Sequence, residues 1–296
     1  MTTDRRFGVA ALFVVTLIGG LFLAAVPPTA ARVLMLKGPR MQGALLIGKV
    51  DPGSRVRLDG RPVKVSKDGD FVLAFGRDAP PAAVLTVLYR EGKRVTRRLH
   101  IARRTYDIQR IDGLPSRMVT PPRNAIRRIL AEQRLIAATR RRVTDTPYFR
   151  AGFAWPVHGR VNGVFGSQRI LNGKPRRPHY GVDVAAPRGT PVRAAADGVV
   201  ALVHPGMYFT GKTVILDHGH GVTSVYIHMS AILVHPGARV RKGEIIGRVG
   251  RTGRTTGPHL HWGVYKGVMP VDPVLLTGPM PGAAATPTRS PRGALR

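Results

Sequence analysis

The sequence predicts a mainly β fold: a C-terminal antiparallel β domain, a small N-terminal β-sandwich-like domain, and a helix linking the two. Three observations lead there. Short β-prone runs separated by Asp-Gly, Asp-Pro-Gly and other glycine signals fill both halves of the chain. Only one stretch, rich in arginine, carries a helical period. The length of 296 residues suits about two domains with at least one sizeable core.

Taken in order, residues 1–31 read as a signal peptide or membrane anchor. MTTDRR precedes the uncharged run FGVAALFVVTLIGGLFLAAV, residues 7–26, and Thr29-Ala30-Ala31 resembles a small-residue cleavage site. The run exceeds the usual signal core of about 7 to 15 residues and approaches the about 20 that span a bilayer. Arg5 and Arg6 on its N-terminal side predict that the remainder lies outside the cytoplasm, periplasmic or extracellular, or held at the inner membrane by an uncleaved segment.

Residues 33–112 read as the small accessory β domain. GALLIGKV, SRVRL, RPVKVS and DFVLAF are separated by Asp51-Pro52-Gly53, Asp59-Gly60 and Asp68-Gly69, which predict hairpins. Its one histidine, His100, is a strand residue. Residues 115–146 read as a basic linker helix. Thr120-Pro121-Pro122 offers a start, Ile126, Ile129, Leu130, Ile136 and Ala137 recur near a helical period, and Arg127, Arg128, Arg134, Arg140, Arg141 and Arg142 fall among them. The simpler reading packs this helix on one domain with a solvated arginine face; the alternative is a membrane- or polymer-binding element.

Residues 151–276 return to glycine-punctuated β segments, among them GVDVAA, KTVILDHG, GVTSVYIHMS and HLHWGVYKG. The end, residues 279–296, is rich in Pro, Ala and Arg without periodicity and is expected to be disordered.

The charge restricts the partners. There are 47 Lys and Arg against 16 Asp and Glu, a formal +31, which suits nucleic acid, phospholipid headgroups or a carboxylate-rich wall polymer. Export and an aromatic content of only 6% argue against nucleic acid. With no cysteine, thiolate ligands and nucleophiles are excluded, leaving histidine and carboxylate for any metal site.

Most of the ten histidines fall in the C-terminal β domain. His158, His204 and His235 flank Gly or Pro and read as turn residues. His218 and His220 in DHGHG belong to a hairpin turn, where two rings have no fixed common face. His259 and His261 share that spacing but begin a strand, so their rings should share a face.

His179 and Asp183, in HYGVD, would be about 13 Å apart on an extended strand, too far for one ion with bonds of about 2.0 to 2.1 Å. Joint ligation therefore requires a bend, which Gly181 permits. His228 shares a strand face with Ser224 and Tyr226 and could line a groove. Two histidines, one carboxylate and an open position describe a catalytic zinc site, not a structural one. No HExxH glutamate is present and Glu244 lies in a loop-like stretch, so the proton acceptor should be histidine. One imidazole of the HLH pair would bind metal while its neighbour handles protons, with His228 as a second such group.

These residues resemble the lysostaphin-type zinc metallopeptidases, endopeptidases of peptidoglycan cross-links. The resemblance rests on HYGVD, YIH at 226–228 and GRTTGPHLHWGV, and runs from about 155 to 275. It implies Zn2+ held by His179, Asp183 and His261, with His228 and His259 as catalytic histidines, in an antiparallel β core with an open groove. It also implies peptidoglycan as substrate, with membrane association through residues 7–26 and a protein regulator as further partners. The rival is a catalytically silent relative that binds and activates a peptidoglycan amidase; the complete histidine and aspartate set favours catalysis. A lipoyl- or biotin-carrier-like module, suggested by RVRKGEIIGRVG, would leave the histidines unexplained.

Overall fold

The computed structural model describes residues 32–112 and 122–281. The apolar run 7–26, Thr120 and Pro121, and most of the expected tail lie outside the described residues. From Val33 onward they form one unit.

Two antiparallel sheets build the N-terminal part. Leu34–Lys37, Leu45–Val50 and Asp70–Ala74 make one; Arg61–Val63, Arg55–Leu58, Ala82–Leu88 and Arg94–His100 make the other. Alternation is plain in Ala82–Leu88, where Ala83, Leu85 and Val87 are buried while Val84 is exposed. They join Leu46, Val56, Phe71, Leu73 and Ile101 in a core between the sheets.

The three turn signals have different fates. Asp59-Gly60 closes a hairpin, with Leu58 facing Arg61. Asp51-Pro52-Gly53 instead carries the chain from one sheet to the other, because Leu45–Val50 pairs with Asp70–Ala74 rather than with its successor. Asp68-Gly69 closes a turn around the lone Val65–Phe71 bridge. The strand Ile108–Ile111 joins neither sheet. It lies parallel to Gln168–Leu171, far along the chain.

An eight-stranded antiparallel sheet organises the C-terminal part, running Arg239–Val240, Gly198–Met207, Gly211–Asp217, Val222–Met229, His259–Lys266, Val182–Ala185 and Arg160–Gly163, with Met269–Val271 beside His259–Lys266. On one face Trp155, Val182, Leu216, Tyr226, Leu260, Trp262 and Met229 form the main core. Each such side chain contributes roughly 1.5–3 kcal/mol on burial. On the other face, Ile215, Val225, Ile227 and Tyr265 are covered by Ile136 and Tyr180.

The helix Arg123–Arg141 starts after Pro122 and supplies that cover. Ala125, Ile129 and Thr139 are buried, and the Arg140 guanidinium sits 3.4 Å above the Tyr265 ring. Ile126 and Leu130, read from sequence as part of the apolar stripe, are 41% and 46% exposed. The packed stripe is rotated away from them because Thr139 and the stem of Arg140 occupy positions an apolar count passes over.

Two other expectations change. His204 lies within Gly198–Met207 rather than in a turn. The expected disordered tail starts too early, since Met280 is 7% exposed and packs in the main core while Trp155 Nε1–H donates to Gly278 O at 3.2 Å. Among the described residues no helix is long and apolar enough to cross a membrane.

Candidate metal centre

The site forms where Val182–Ala185 lies antiparallel to His259–Lys266, with Asp183 opposite His261. Cross-strand partners share a sheet face, so the register alone sets the carboxylate beside the imidazole. Asp183 Oδ1 lies 2.8 Å from His261 Nδ1. His179 reaches the same point from before the strand: its Nε2 is 3.1 Å from Asp183 Oδ1 and 2.9 Å from His261 Nδ1.

The chain does bend between His179 and Asp183, at Gly181. Space is what demands glycine there: a Cβ would come within 2.5 Å of Trp262 O and 2.7 Å of His261 Nε2. Gly163, on the neighbouring strand, meets the same limit, since its Cβ would lie 2.3 Å from Asp183 Oδ2.

Backbone carbonyls assign the tautomers, because a carbonyl can only accept. His179 Nδ1–H donates to Val164 O at 3.1 Å, His228 Nδ1–H to Thr252 O at 2.8 Å, and His259 Nδ1–H to Gly257 O at 2.9 Å. All three therefore turn Nε2 away from the backbone. His259 Nε2 stands 3.8 Å from Asp183 Oδ1, and the His259 ring is 4.8 Å from that of His228.

His228 arrives by an irregular route. In Val222–Met229, Ile227 pairs with His261 and Tyr226 with Trp262, so a regular strand would send residue 228 to the core face with Tyr226. Its φ of +63° breaks the alternation. The ring instead lies 6.5 Å from His261. Ser224 and Tyr226, expected to share its groove, are fully buried in the core. The Thr210 carbonyl accepts the His228 N–H, and Thr252 supplies the ring acceptor.

The electrostatics follow from this packing. Burial works against ionising Asp183, yet the hydrogen bonds and charges of His179 and His261 hold its carboxyl well below the usual carboxylate range. Burial also opposes protonating His179, but the Asp183 contact raises it. Burial pushes His261 down. It pushes His228 down to about 4, so His228 is neutral at pH 7.

His179, Asp183 and His261 each offer one ligand atom, all mutually close. Separations of 2.8 to 3.1 Å suit three donors around one ion at about 2.0 to 2.1 Å. The donor chemistry fits as well: with Nδ1–H committed to Val164, neutral His179 has its Nε2 lone pair free for a cation, which Asp183 and His261 converge to share.

The other histidines take structural positions. His218 Nδ1–H donates to Asp197 O at 2.6 Å and its Nε2 meets Ser224 Oγ at 2.7 Å. His220 Nε2 bonds Asp145 O at 3.0 Å. His220 thus ties the DHGHG turn to the segment after the helix, and His218 ties it to the residue before Gly198–Met207. Sequence reasoning passed over Gly163, Val164, Thr210 and Thr252, which touch or fix the site. Only the TTG segment before HLH, which includes Gly257, carried a signal.

Comparison with known proteins matches residues 177–273 to the model of Peptidase family M23. The DD-carboxypeptidase/endopeptidase Mpg of Neisseria meningitidis is 44% identical over 126 residues, 42% of this chain and 29% of that protein. The peptidoglycan DD-endopeptidase ShyA of Vibrio cholerae is 39% identical over 136 residues, 44% of this chain and 31% of that protein. The chain thus spans under a third of either relative's length. A crystal structure of a Pseudomonas aeruginosa protein described as a peptidase M23 matches with a TM-score of 0.62 at 30% identity, covering 81% of this chain and 95% of that one.

Proposed function

Because the chain belongs to peptidase family M23, we propose that it is an exported zinc-dependent endopeptidase hydrolysing peptide cross-links of peptidoglycan. The observation that carries this reading is the convergence of His179 Nε2, Asp183 Oδ1 and His261 Nδ1 within 3.1 Å of one another, with the Nε2 atoms of His228 and His259 beside them. The relatives named for peptidoglycan DD-endopeptidase activity support the substrate class.

His179, Asp183 and His261 would hold the zinc, which when bound would supply Lewis-acid polarisation of the scissile carbonyl and a more acidic water. His259 and His228, each fixed by Nδ1–H on a backbone carbonyl, present Nε2 to the cleft, where one takes a proton from the attacking water and returns it to the leaving amine while the other orients that water by accepting its second O–H. Glu244, the glutamate of this β region, is engaged elsewhere, its Oε2 accepting from Arg241 N–H within its own turn.

The basic surface suits a polymer bearing free carboxylates. Arg254 stacks over Phe209 at 4.2 Å and Arg177 over Tyr180 at 5.1 Å, placing guanidinium groups on segments that flank the site. Residues 7–26, with Arg5 and Arg6 before them, support export to the periplasm or beyond, with retention at the membrane if that run stays uncleaved. The complete residue set speaks against a silent amidase regulator.

The test is to incubate the purified chain with isolated sacculi, with and without a chelator, and to analyse released fragments by mass. Chelator-sensitive cleavage of cross-links is expected, abolished in His179→Ala and His261→Ala. Cleavage that survives either substitution, or no cleavage by any preparation, would sink the proposal.

A further inference from the structure

The segment that orients His179 is itself gripped from outside. Val164 O takes the His179 Nδ1–H, Gly166 N–H donates to His179 O at 2.8 Å, and His179 N–H donates to Ser167 O at 2.8 Å. Ring and backbone of His179 thus both hang on residues 164–167. Val164 is 53% exposed, while Phe165 beside it is buried against Tyr106 and Tyr180.

The grip comes from the N-terminal β region. Arg77, whose side chain is 12% exposed, donates Nε–H to Gly166 O at 2.8 Å. Its guanidinium stacks over the Tyr106 ring at 4.4 Å, and the Tyr106 hydroxyl donates to Arg77 O at 3.1 Å. That ring lies flush against Gly166, where a Cβ would come within 2.1 Å of it, and meets Phe165 edge-on at 6.3 Å. One residue later Gln168 N–H donates to Asp107 O at 2.9 Å, and Ile108–Ile111 continues the contact as a parallel strand.

We propose that Arg77 and Tyr106 are positioning residues for the metal centre: by clamping residues 164–167 they fix the tautomer and aim of His179, so metal affinity depends on the N-terminal β region. A ligand histidine presents its lone pair correctly only while its other nitrogen is held. Here the holder, Val164, belongs to a turn that Arg77 and Tyr106 grip directly, alongside the buried Phe165 and the pairing of Gly163 with Asp183. This inference rests on reading His179 as a metal ligand and assigns the N-terminal region a part in the site itself.

The test measures zinc affinity of the full chain by competition with a chromophoric chelator, alongside melting of the metal-free protein. Loss of such outer contacts typically weakens metal binding about 10- to 100-fold. That loss is expected for Arg77→Ala and Tyr106→Leu, less of it for Arg77→Lys, which keeps a donor, and none for Arg57→Ala, which breaks only a bond to Gly60 O within its own hairpin. Should Arg77→Ala fail to fold, Tyr106→Phe, which deletes the hydroxyl alone, should still weaken zinc measurably.

A purely structural role would lower the metal-free melting temperature and leave zinc affinity unchanged; that result overturns the inference while leaving the peptidase reading intact. Zinc binding that survives His261→Ala overturns both.

Discussion

At the residue scale the most telling position is His228. A histidine at φ +63° sits in the left-handed region, which costs a non-glycine residue about 1–2 kcal/mol, and such strain persists where the surroundings enforce it. Here Thr210 O and Thr252 O hold it from both sides. His228→Gly is therefore expected to be more stable than His228→Ala by about 1 kcal/mol in denaturant melts, with both unable to cleave; equal stability would remove the strain argument. Gly163→Ala should lose metal while remaining folded, because its Cβ would stand 2.3 Å from Asp183 Oδ2, and retention of wild-type metal affinity would show that the strand can shift. The histidines and Asp183 were legible because their residue types and spacings carry chemistry. Gly163 and the redirection of His228 were not: a glycine's empty space depends on what faces it, and no local pattern records a positive φ at histidine.

At the scale of elements, the DHGHG turn joins Gly211–Asp217 to Val222–Met229, as its glycines indicate, but its histidines are anchors where the sequence suggested only turn residues without a common face. His218 is fully buried against Ser224, which also lies 2.9 Å from the Tyr226 hydroxyl; that hydroxyl in turn accepts from Ala195 N–H at 2.8 Å. Burial lowers the His218 pKa, only partly offset by the Asp197 carbonyl and by the charges of Asp217 and Asp197, and raises Tyr226 to about 12. A lowered folded-state histidine pKa means that the unfolded chain binds the extra proton first. Stability from neutral His218 is thus complete above the unfolded value of about 6.5 and declines as pH falls below it toward the folded value. Between about pH 7 and 5 the melting temperature should fall, and fall less steeply in His218→Gln; identical slopes would assign the acid sensitivity elsewhere. The same scale explains the misjudged helix face. Apolar counting selected Ile129 and Ile136, which do make contact, but added Ile126 and Leu130 and passed over Thr139 and Arg140 stacked on Tyr265, a surface whose aromatic half lies on a distant strand.

For the whole molecule, two β regions and a helix were legible, but their mutual dependence was not, since alternation marks which residues are buried without saying against what. Leu45–Val50 and Asp70–Ala74 point Leu46, Phe71 and Leu73 into the N-terminal core while Leu45 and Val72 enter the main core beside Trp155 and Trp262. Asp272, 3% exposed, pairs with Arg104 at 2.8 Å, and its N–H donates to Gly43 O at 2.7 Å. The helix braces the opposite side of the site: Glu132 Oε2 accepts from Tyr208 N–H at 2.8 Å, two residues before the Thr210 that holds His228. Regions that share core residues and a buried ion pair cannot unfold separately without exposing both, so calorimetry of the metal-free chain should give one cooperative transition. Arg104→Ala would strand the Asp272 carboxylate, at a cost of about 3 kcal/mol, the low end for a broken buried pair because Arg104 itself keeps some access to water. That loss should move the single transition downward as a whole. If Arg104→Ala instead splits it, with the C-terminal part melting at the wild-type temperature, the two β regions are independent, and the metal centre does not need the N-terminal one to stay folded.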